Sequence, residues 1–197
     1  MKFLKNIFFA SLLLIVLLTA GCLKQEAYEP KRLSAPLGMI QEKNNIIVTK
    51  NVLTDNECKK IFGGRRLLAR GYQPVQIYIK NNNPEPLMLD PNYITLALEN
   101  PKAVAYSMHR NLAAKTMWFL RNTENAEYAK VKAKVSESIN KDIDFDIEEK
   151  SLNINTKTII RPYGILNKVV FILTENYQSS FNLSLFDKNN DKVTFNL

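Results

Sequence analysis

The alternation of apolar and polar side chains between Gly71 and Leu98 constrains the fold of this chain more than any other feature. A period of two is typical of strands with one buried face. Two turn signals, residues 81–84 and 90–92, are rich in Asn and Pro and divide the alternation. We therefore expect consecutive antiparallel strands whose buried sides carry Val75, Ile77, Ile79, Leu87, Leu89, Ile94, Leu96 and Leu98.

Further strand patterns lie on both sides of this segment. Residues 46–48 predict a first strand, residues 158–160 a short one, and the continuous apolar run 169–173 a strand at the centre of a sheet. Near the end, alternation on either side of residues 187–191 predicts a terminal hairpin, with Phe181, Leu183, Leu185, Val193, Phe195 and Leu197 buried.

Helical patterns separate the two groups of strands. Thr54 and Glu57 match a capping box, which predicts a helix from Asp55 to Phe62. Asn100 and Pro101 are typical of a helix start, and apolar residues at steps of four predict two helices over about 101–150. The first stripe is Val104, Met108 and Leu112, in a helix reaching about Leu120, and the second is Val131, Val135, Ile139 and Ile143.

The first 22 residues have the composition of an export signal. Lys2 and Lys5 precede an apolar run from Ile7 to Leu18, which is shorter than the roughly 20 residues of a membrane span. The sequence Thr19-Ala20-Gly21-Cys22 resembles a bacterial lipobox. That resemblance implies cleavage between Gly21 and Cys22 and attachment of diacylglycerol to the Cys22 sulfur. A plain signal peptide that happens to end near a cysteine is the alternative.

Residues 22–45 predict a flexible tether, because Pro30, Pro36, Gly38 and many polar side chains occur there without a sustained period. The folded domain is accordingly expected at 46–197. Leu23 follows the cysteine where an aspartate would signal retention at the inner membrane, which favours the outer membrane.

Cleavage after residue 21 would leave 176 residues, enough for one domain with its own core. Loss of Lys2 and Lys5 lowers the formal net charge from +8 to +6. A basic surface can follow anionic headgroups or nucleic acid. Because no Lys/Arg block with interleaved aromatic residues occurs, we expect a solvated basic surface and no nucleic-acid partner.

The residues that could serve catalysis or metal binding do not form a complete set in the sequence. The run Asp142–Asp146 begins like a calcium loop, but Ile147 stands at the glycine position and Asn153 at the glutamate position, so a solvated face is expected. His109 is the only histidine, without a nucleophile elbow or a zinc-ligand set. With Cys22 lipidated, Cys58 is expected to be a buried free thiol. We predict no enzyme activity, no metal and no cofactor.

Met108, Trp118 and Phe119 form the one group with a candidate binding role. Two interpretations stay open: core packing, or an apolar patch that faces a partner or the bilayer, beside the basic side chains of Arg110, Lys115 and Arg121.

The stretches with a recognisable family pattern are residues 60–63, 71–77 and 81–82, then 160–167 with Val170 and Phe171. They are similar to an uncharacterised family of lipoproteins and secreted proteins from chlamydiae and Legionella-type bacteria. The resemblance implies an exported, mainly β protein with a helical insert (α+β): an immunoglobulin-like antiparallel β-sandwich interrupted by two helices. It implies no activity and no site residues.

The resulting prediction is a membrane-anchored envelope lipoprotein with a non-catalytic binding or structural role. Its partners would be the membrane, through lipidated Cys22, and another envelope protein. Two alternatives stay open: a lipoprotein exposed on the cell surface and facing a host, and an enzyme that acts on envelope lipid or glycan.

Overall fold

The computed structural model describes residues 33–35, 38–63, 66–109 and 126–197, with the backbone alone for 126–132. Its strands and helices follow the chain in this order: β1 (Met39–Lys43), β2 (Ile46–Val52), α1 (Asp55–Ile61), β3 (Tyr72–Asn81), β4 (Leu87–Ile94), α2 (Pro101–Met108), α3 (Ala126–Lys150), β5 (Thr158–Ile160), β6 (Ile165–Leu173), β7 (Asn182–Phe186) and β8 (Lys192–Asn196). Short 3₁₀ turns occupy Leu68–Arg70 and Thr174–Asn176.

The strands form two antiparallel sheets of four strands each. Sheet A has the order β1-β2-β3-β6, and sheet B has the order β5-β4-β7-β8. Three helices accompany the sheets in the described residues. The predicted α+β class, mainly β with helices, is therefore confirmed.

The two sheets share one hydrophobic core. Inward side chains of β3 in sheet A lie in the same buried cluster as inward side chains of β4, β7 and β8 in sheet B. The alternation in the sequence identifies these residues correctly, since Val75, Ile77, Ile79, Leu87, Leu89, Leu183, Leu185 and Phe195 are all buried in it.

A second core lies on the opposite side of sheet A, under the helices. Val169 and Phe171 of β6 pack there against Cys58 of α1 and Ile143 and Ile147 of α3. The Phe62 and Phe171 rings are 5.8 Å apart. The order through the molecule is therefore sheet B, first core, sheet A, second core, helices.

β3 and β4 do not pair with each other, so the expectation of consecutive paired strands is wrong here. Residues 82–86 carry the chain from sheet A to sheet B. The buried Asn81 side chain stabilises this crossover by donating to the Glu85 carbonyl at 2.8 Å and the Arg161 carbonyl at 3.1 Å. These side-chain hydrogen bonds stabilise the connection between the sheets, where a hairpin would use backbone hydrogen bonds.

β4 also continues through residues 90–92, where the sequence predicted a break. Its pairing with β7 shifts register between Leu89 and Ile94, which accommodates Pro91 within one strand. The separate strand predicted over residues 94–98 is consequently wrong, although Leu98 makes an isolated bridge to Ile172.

The predicted tether at 22–45 is wrong over its last part, because β1 lies in sheet A. Residues 39–43 pair antiparallel with residues 46–50 of β2. The connecting residues Asn44 and Asn45 both have positive φ, at 51° and 59°. Two central residues of that kind form the hairpin turn that suits strand twist.

β6 lies at the end of sheet A, whereas its apolar run predicted a central strand. Its outer edge is covered by other segments of the chain: Glu99 N–H donates to the Phe171 carbonyl at 2.8 Å, and Leu152 N–H donates to the Val169 carbonyl at 2.9 Å. Since both faces also pack against cores, an edge strand here is as apolar as a central one.

The helix starts follow the predicted local chemistry. Thr54 N–H donates to the Glu57 carboxylate at 2.8 Å, and Glu57 N–H donates to the Thr54 hydroxyl at 3.3 Å, completing the capping box. The Asn100 side chain caps α2 by accepting from Lys102 N–H at 2.9 Å.

The helix ends differ from the sequence pattern. α2 ends at Met108 instead of reaching Leu120, and residues 110–125 lie outside the described part of the chain. In α3, Ile139 and Ile143 pack at the second core, but Val135 is 41% exposed, so the predicted stripe is wrong at that position.

The terminal hairpin is confirmed. Phe181 and Leu197 exchange both backbone hydrogen bonds, at 2.9 and 2.8 Å, next to the β7–β8 ladder. Leu197, the final residue of the sequence, is buried in the first core. The Leu197 side chain therefore packs in the core between the two sheets.

Candidate functional site

The predicted anchor, Cys22, and the predicted cleavage site at Gly21 and Cys22 lie outside the described residues, so both stay predictions. Of the helices that the structure describes, none is long and apolar enough to cross a bilayer.

The predicted interaction patch is wrong for Met108. This side chain is 7% exposed and packs in the second core with Val104 and Ile147, because it lies on the inner face of α2. Trp118 and Phe119 fall outside the described residues. Of the two interpretations left open by the sequence, core packing is therefore the one that Met108 follows.

Cys58 is a buried free thiol, as predicted. It faces the second core from α1, directly after Glu57 and three residues after Asp55 in sequence. Burial, followed by the negative charges of those two carboxylates, raises the pKa of the Cys58 thiol to about 12. A thiol that stays protonated at neutral pH is a poor nucleophile, so this cysteine serves packing.

The acidic run Asp142–Asp146 is not uniformly solvated, contrary to the prediction. Asp146 is 1% exposed and forms an ion pair with the Lys150 ammonium, one helical turn away on α3. Lys150 also donates to the Ile61 carbonyl at 2.7 Å and lies 5.8 Å from the centre of the Phe62 ring. The pair thereby ties α3 to the end of α1.

His109 lies just after α2 and is bonded to Asp144 of α3, with Nε2 2.7 Å from Oδ1. Its ring is 5.1 Å from that of Tyr106. A hydrolytic triad would add a Ser or Cys in contact with this imidazole. The described residues provide no such contact, and they contain no group of three His, Cys, Asp or Glu side chains able to hold a metal.

A shallow depression of about 370 Å³ lies between the end of β4 and the second 3₁₀ turn. It is lined by Thr95, Leu96, Ala97 and residues 175–178. Burial raises the pKa of the Tyr177 hydroxyl at its edge. The lining contains one carboxylate, that of Glu175, so the pair of converging carboxylates used in glycoside hydrolysis is not formed there.

A polar site that the sequence did not predict lies on the outer face of sheet A, which is the face that packs against the helices. It is a pair of side-chain amides. Gln76 of β3 donates to the Asn167 side-chain oxygen at 2.8 Å and to the Ser34 carbonyl at 2.7 Å. Asn167 of β6 donates to the Leu33 carbonyl at 3.1 Å and the Ser34 carbonyl at 3.2 Å. We call these two side chains the amide pair.

The alternation along β3 places Gln76 on the face opposite to Val75 and Ile77, where a solvated side chain is expected, yet Gln76 is 3% exposed. The segment 33–35 and the helices cover this face, which explains the difference. No local pattern could have predicted the amide pair, because the bonds join positions 42 to 134 residues apart.

Comparisons with family models, with curated proteins and with solved structures find no match to this chain. The described residues therefore define a class by architecture alone: an α+β protein with two antiparallel sheets and a helical layer.

Proposed function

We propose that this protein is a lipid-anchored lipoprotein of the bacterial cell envelope, held in the outer membrane through Cys22, with a non-catalytic binding or structural role. The observation that carries the proposal is the apolar run of residues 7–18 followed by Thr19-Ala20-Gly21-Cys22. A basic start, an apolar run of this length and small residues at the cut are the parts of an export signal.

The physical consequence of lipidation is a stable attachment. Each buried methylene of an acyl chain contributes about 0.8 kcal/mol, and two or more chains anchor a protein that one chain would hold only marginally. A single modified Cys22 is therefore sufficient to keep the whole domain at a membrane.

The non-catalytic role is supported by the state of the reactive side chains in the described residues. Cys58 is buried with its pKa raised to about 12, and Lys150 and Asp146 are paired inside the helical layer. The His109 imidazole is bonded to Asp144. Each of these groups stabilises contacts between elements, which fits a domain that binds or spaces other molecules.

We also propose that the two sheets form an immunoglobulin-like β-sandwich interrupted by two helices. The proposal is supported by two four-stranded antiparallel sheets that share one core, with helices α2 and α3 inserted between β4 and β5. An experimental structure with both sheets packed at about 30°, as in aligned sandwiches, would support it, and a near-perpendicular crossing would contradict it.

The test of the anchor compares two cysteine variants of the full chain in the native cell. Cys22→Ser should move the protein from the salt-washed membrane fraction to the soluble fraction. Cys58→Ala is the matched control, because it removes the other cysteine and leaves the leader unchanged. Membrane retention of Cys22→Ser at the level of the control would overturn the proposal.

The envelope partner is best sought with the lipidated protein in place. Crosslinking in the native envelope followed by mass spectrometry should recover a second envelope protein. Recovery of this protein alone would contradict the binding role and favour a spacer. Protection from protease added to intact cells would exclude the host-facing alternative.

A further inference from the structure

The amide pair holds a piece of backbone as if it were a ligand. Its three hydrogen bonds to residues 33–35 end on two main-chain carbonyls, those of Leu33 and Ser34. The Leu33 side chain packs against the second core beside them. The contact therefore combines main-chain recognition with one apolar side chain.

The register of β3 and β6 places the two amides of this site side by side. Gln76 pairs with Val169, and Tyr78 pairs with Asn167, so Gln76 and Asn167 are diagonal neighbours on the outer face of sheet A. Their mutual hydrogen bond fixes both side-chain orientations. A buried amide needs hydrogen-bond partners, and the Ser34 carbonyl supplies one to Gln76.

We propose that the amide pair is the site at which the domain holds the chain that leads to the membrane, so that the predicted tether ends at Leu33. This inference rests on the proposed lipidation of Cys22. Leu33 comes eleven residues after Cys22, a span of at most about 36–40 Å when fully extended. Without the amide pair, the free chain would run to Met39 in β1, about 56–61 Å at full extension.

The amide pair also determines where the tether leaves the domain. The exit lies on the face of sheet A that the helices cover, and the first core and sheet B lie on the other side of sheet A. The outer face of sheet B is therefore the part of the domain farthest from the exit. The amide pair therefore limits how far the domain can lie from the bilayer. It also determines from which side the domain is held.

Limited trypsin digestion of the purified full mature protein tests this inference, because the tether carries its own reference site. Lys31 and Arg32 adjoin the held segment, whereas Lys24 lies well before it. A protease cuts a bond only where the backbone next to it can adopt an extended, free form. Cleavage rates are divided by those of a synthetic peptide with residues 22–38 and an unmodified Cys22, which has the same residues around each bond and removes the intrinsic preferences of trypsin.

In the unaltered protein we expect cleavage after Lys31 or Arg32 to be at least about tenfold slower than after Lys24, since held backbone must open before it is cut. Gln76→Ala with Asn167→Ala should bring the two rates to within about threefold. Leu33→Asp, which leaves both strands intact, should do the same. Asn196→Ala, an exposed amide on β8, is the control and should leave the protection unchanged.

Equal normalised rates at the two sites in the unaltered protein would overturn the inference, as would protection that survives in both Leu33→Asp and the double variant. The mass of the N-terminal peptide from the same preparation separates the two proposals. A lipidated Cys22 with an unprotected Arg32 contradicts the amide-pair inference alone. A protected Arg32 with unmodified Cys22 contradicts the lipoprotein proposal, and with it the role of the amide pair as a tether stop.

Discussion

Lys150 and Asp146 form an ion pair within α3 that is almost completely buried, with side chains 6% and 1% exposed. The Lys150 ammonium also bonds the Ile61 carbonyl, so the pair joins the C-terminal end of α3 to the end of α1. This polar contact holds α1 and α3 together, and the apolar second core packs both helices on sheet A.

Lys150→Met should lower the free energy of unfolding by about 3–5 kcal/mol, because the Asp146 carboxylate stays buried without the ammonium. Adding Asp146→Leu should restore part of the loss. Urea denaturation followed by circular dichroism measures both changes. Lys141→Met is the matched control: its partner Glu137 is also four residues away, but both side chains are largely exposed, so the expected loss is much smaller than that of Lys150→Met. Equal losses in the two lysine variants would contradict the buried role of Lys150.

Deletion of the last five residues, 193–197, should make the domain insoluble. These residues supply most of β8 and place Phe195 and Leu197 in the first core. The milder change Leu197→Ala should cost about 2–5 kcal/mol of unfolding free energy, against less than about 0.5 kcal/mol for the exposed Asn196→Ala. Soluble expression and denaturant midpoints measure the effects, and a soluble, cooperatively folding truncation would refute the placement of β8.

Cys58 should resist thiol reagents in the folded protein. Its pKa of about 12 keeps the thiol protonated, and burial excludes the reagent. At pH 8, labelling with a maleimide should follow the unfolding transition as urea is added, instead of occurring at once. Immediate stoichiometric labelling of Cys58 in Cys22→Ser protein without denaturant would show that α1 does not cover this side chain.

The capping box predicts a pH-dependent contribution from Glu57. Hydrogen bonds from the Thr54 backbone N–H and then the Thr54 hydroxyl lower the pKa of the Glu57 carboxyl below its ordinary value. A lowered folded-state pKa means that the stabilisation is present above the unfolded pKa of about 4.3 and is lost as pH falls through the folded value.

Glu57→Gln should therefore destabilise the protein by about 0.3–1.5 kcal/mol at pH 7, and by less at pH 3. Thr54→Ala provides the contrast, because the bond from Glu57 N–H to the Thr54 hydroxyl does not titrate and its loss persists at low pH. Thermal unfolding at several pH values measures both differences. A Glu57→Gln penalty that stays constant between pH 7 and pH 3 would contradict the assignment.

Local interactions explain which parts of the fold could be predicted from the sequence. Thr54 with Glu57 and Asn100 with Pro101 stabilise helix starts through bonds that span two or three residues, and both predictions are confirmed. The inward positions of β3 are likewise confirmed, because alternation on one strand reports which side faces a core.

The partition of strands between sheets depends on contacts distant in sequence, and the prediction was wrong there. Asn81 directs the chain from sheet A to sheet B through bonds to Glu85 and Arg161. The burial of Asp146 also involves a distant element, because its partner Lys150 bonds the Ile61 carbonyl at the end of α1. The sequence shows only the four-residue spacing between Asp146 and Lys150. β1 had a signal, the pair Asn44 and Asn45, which is typical of a two-residue hairpin.

The central claim is that Cys22 is the lipidated first residue of the mature protein. The most direct measurement is the intact mass of the N-terminal peptide from protein purified out of the native membrane fraction. We predict a peptide that begins at Cys22 and carries the added mass of a diacylglycerol on its sulfur and an acyl group on its amine. A peptide that retains residues before Cys22, or one that begins at an unmodified Cys22, would contradict the claim.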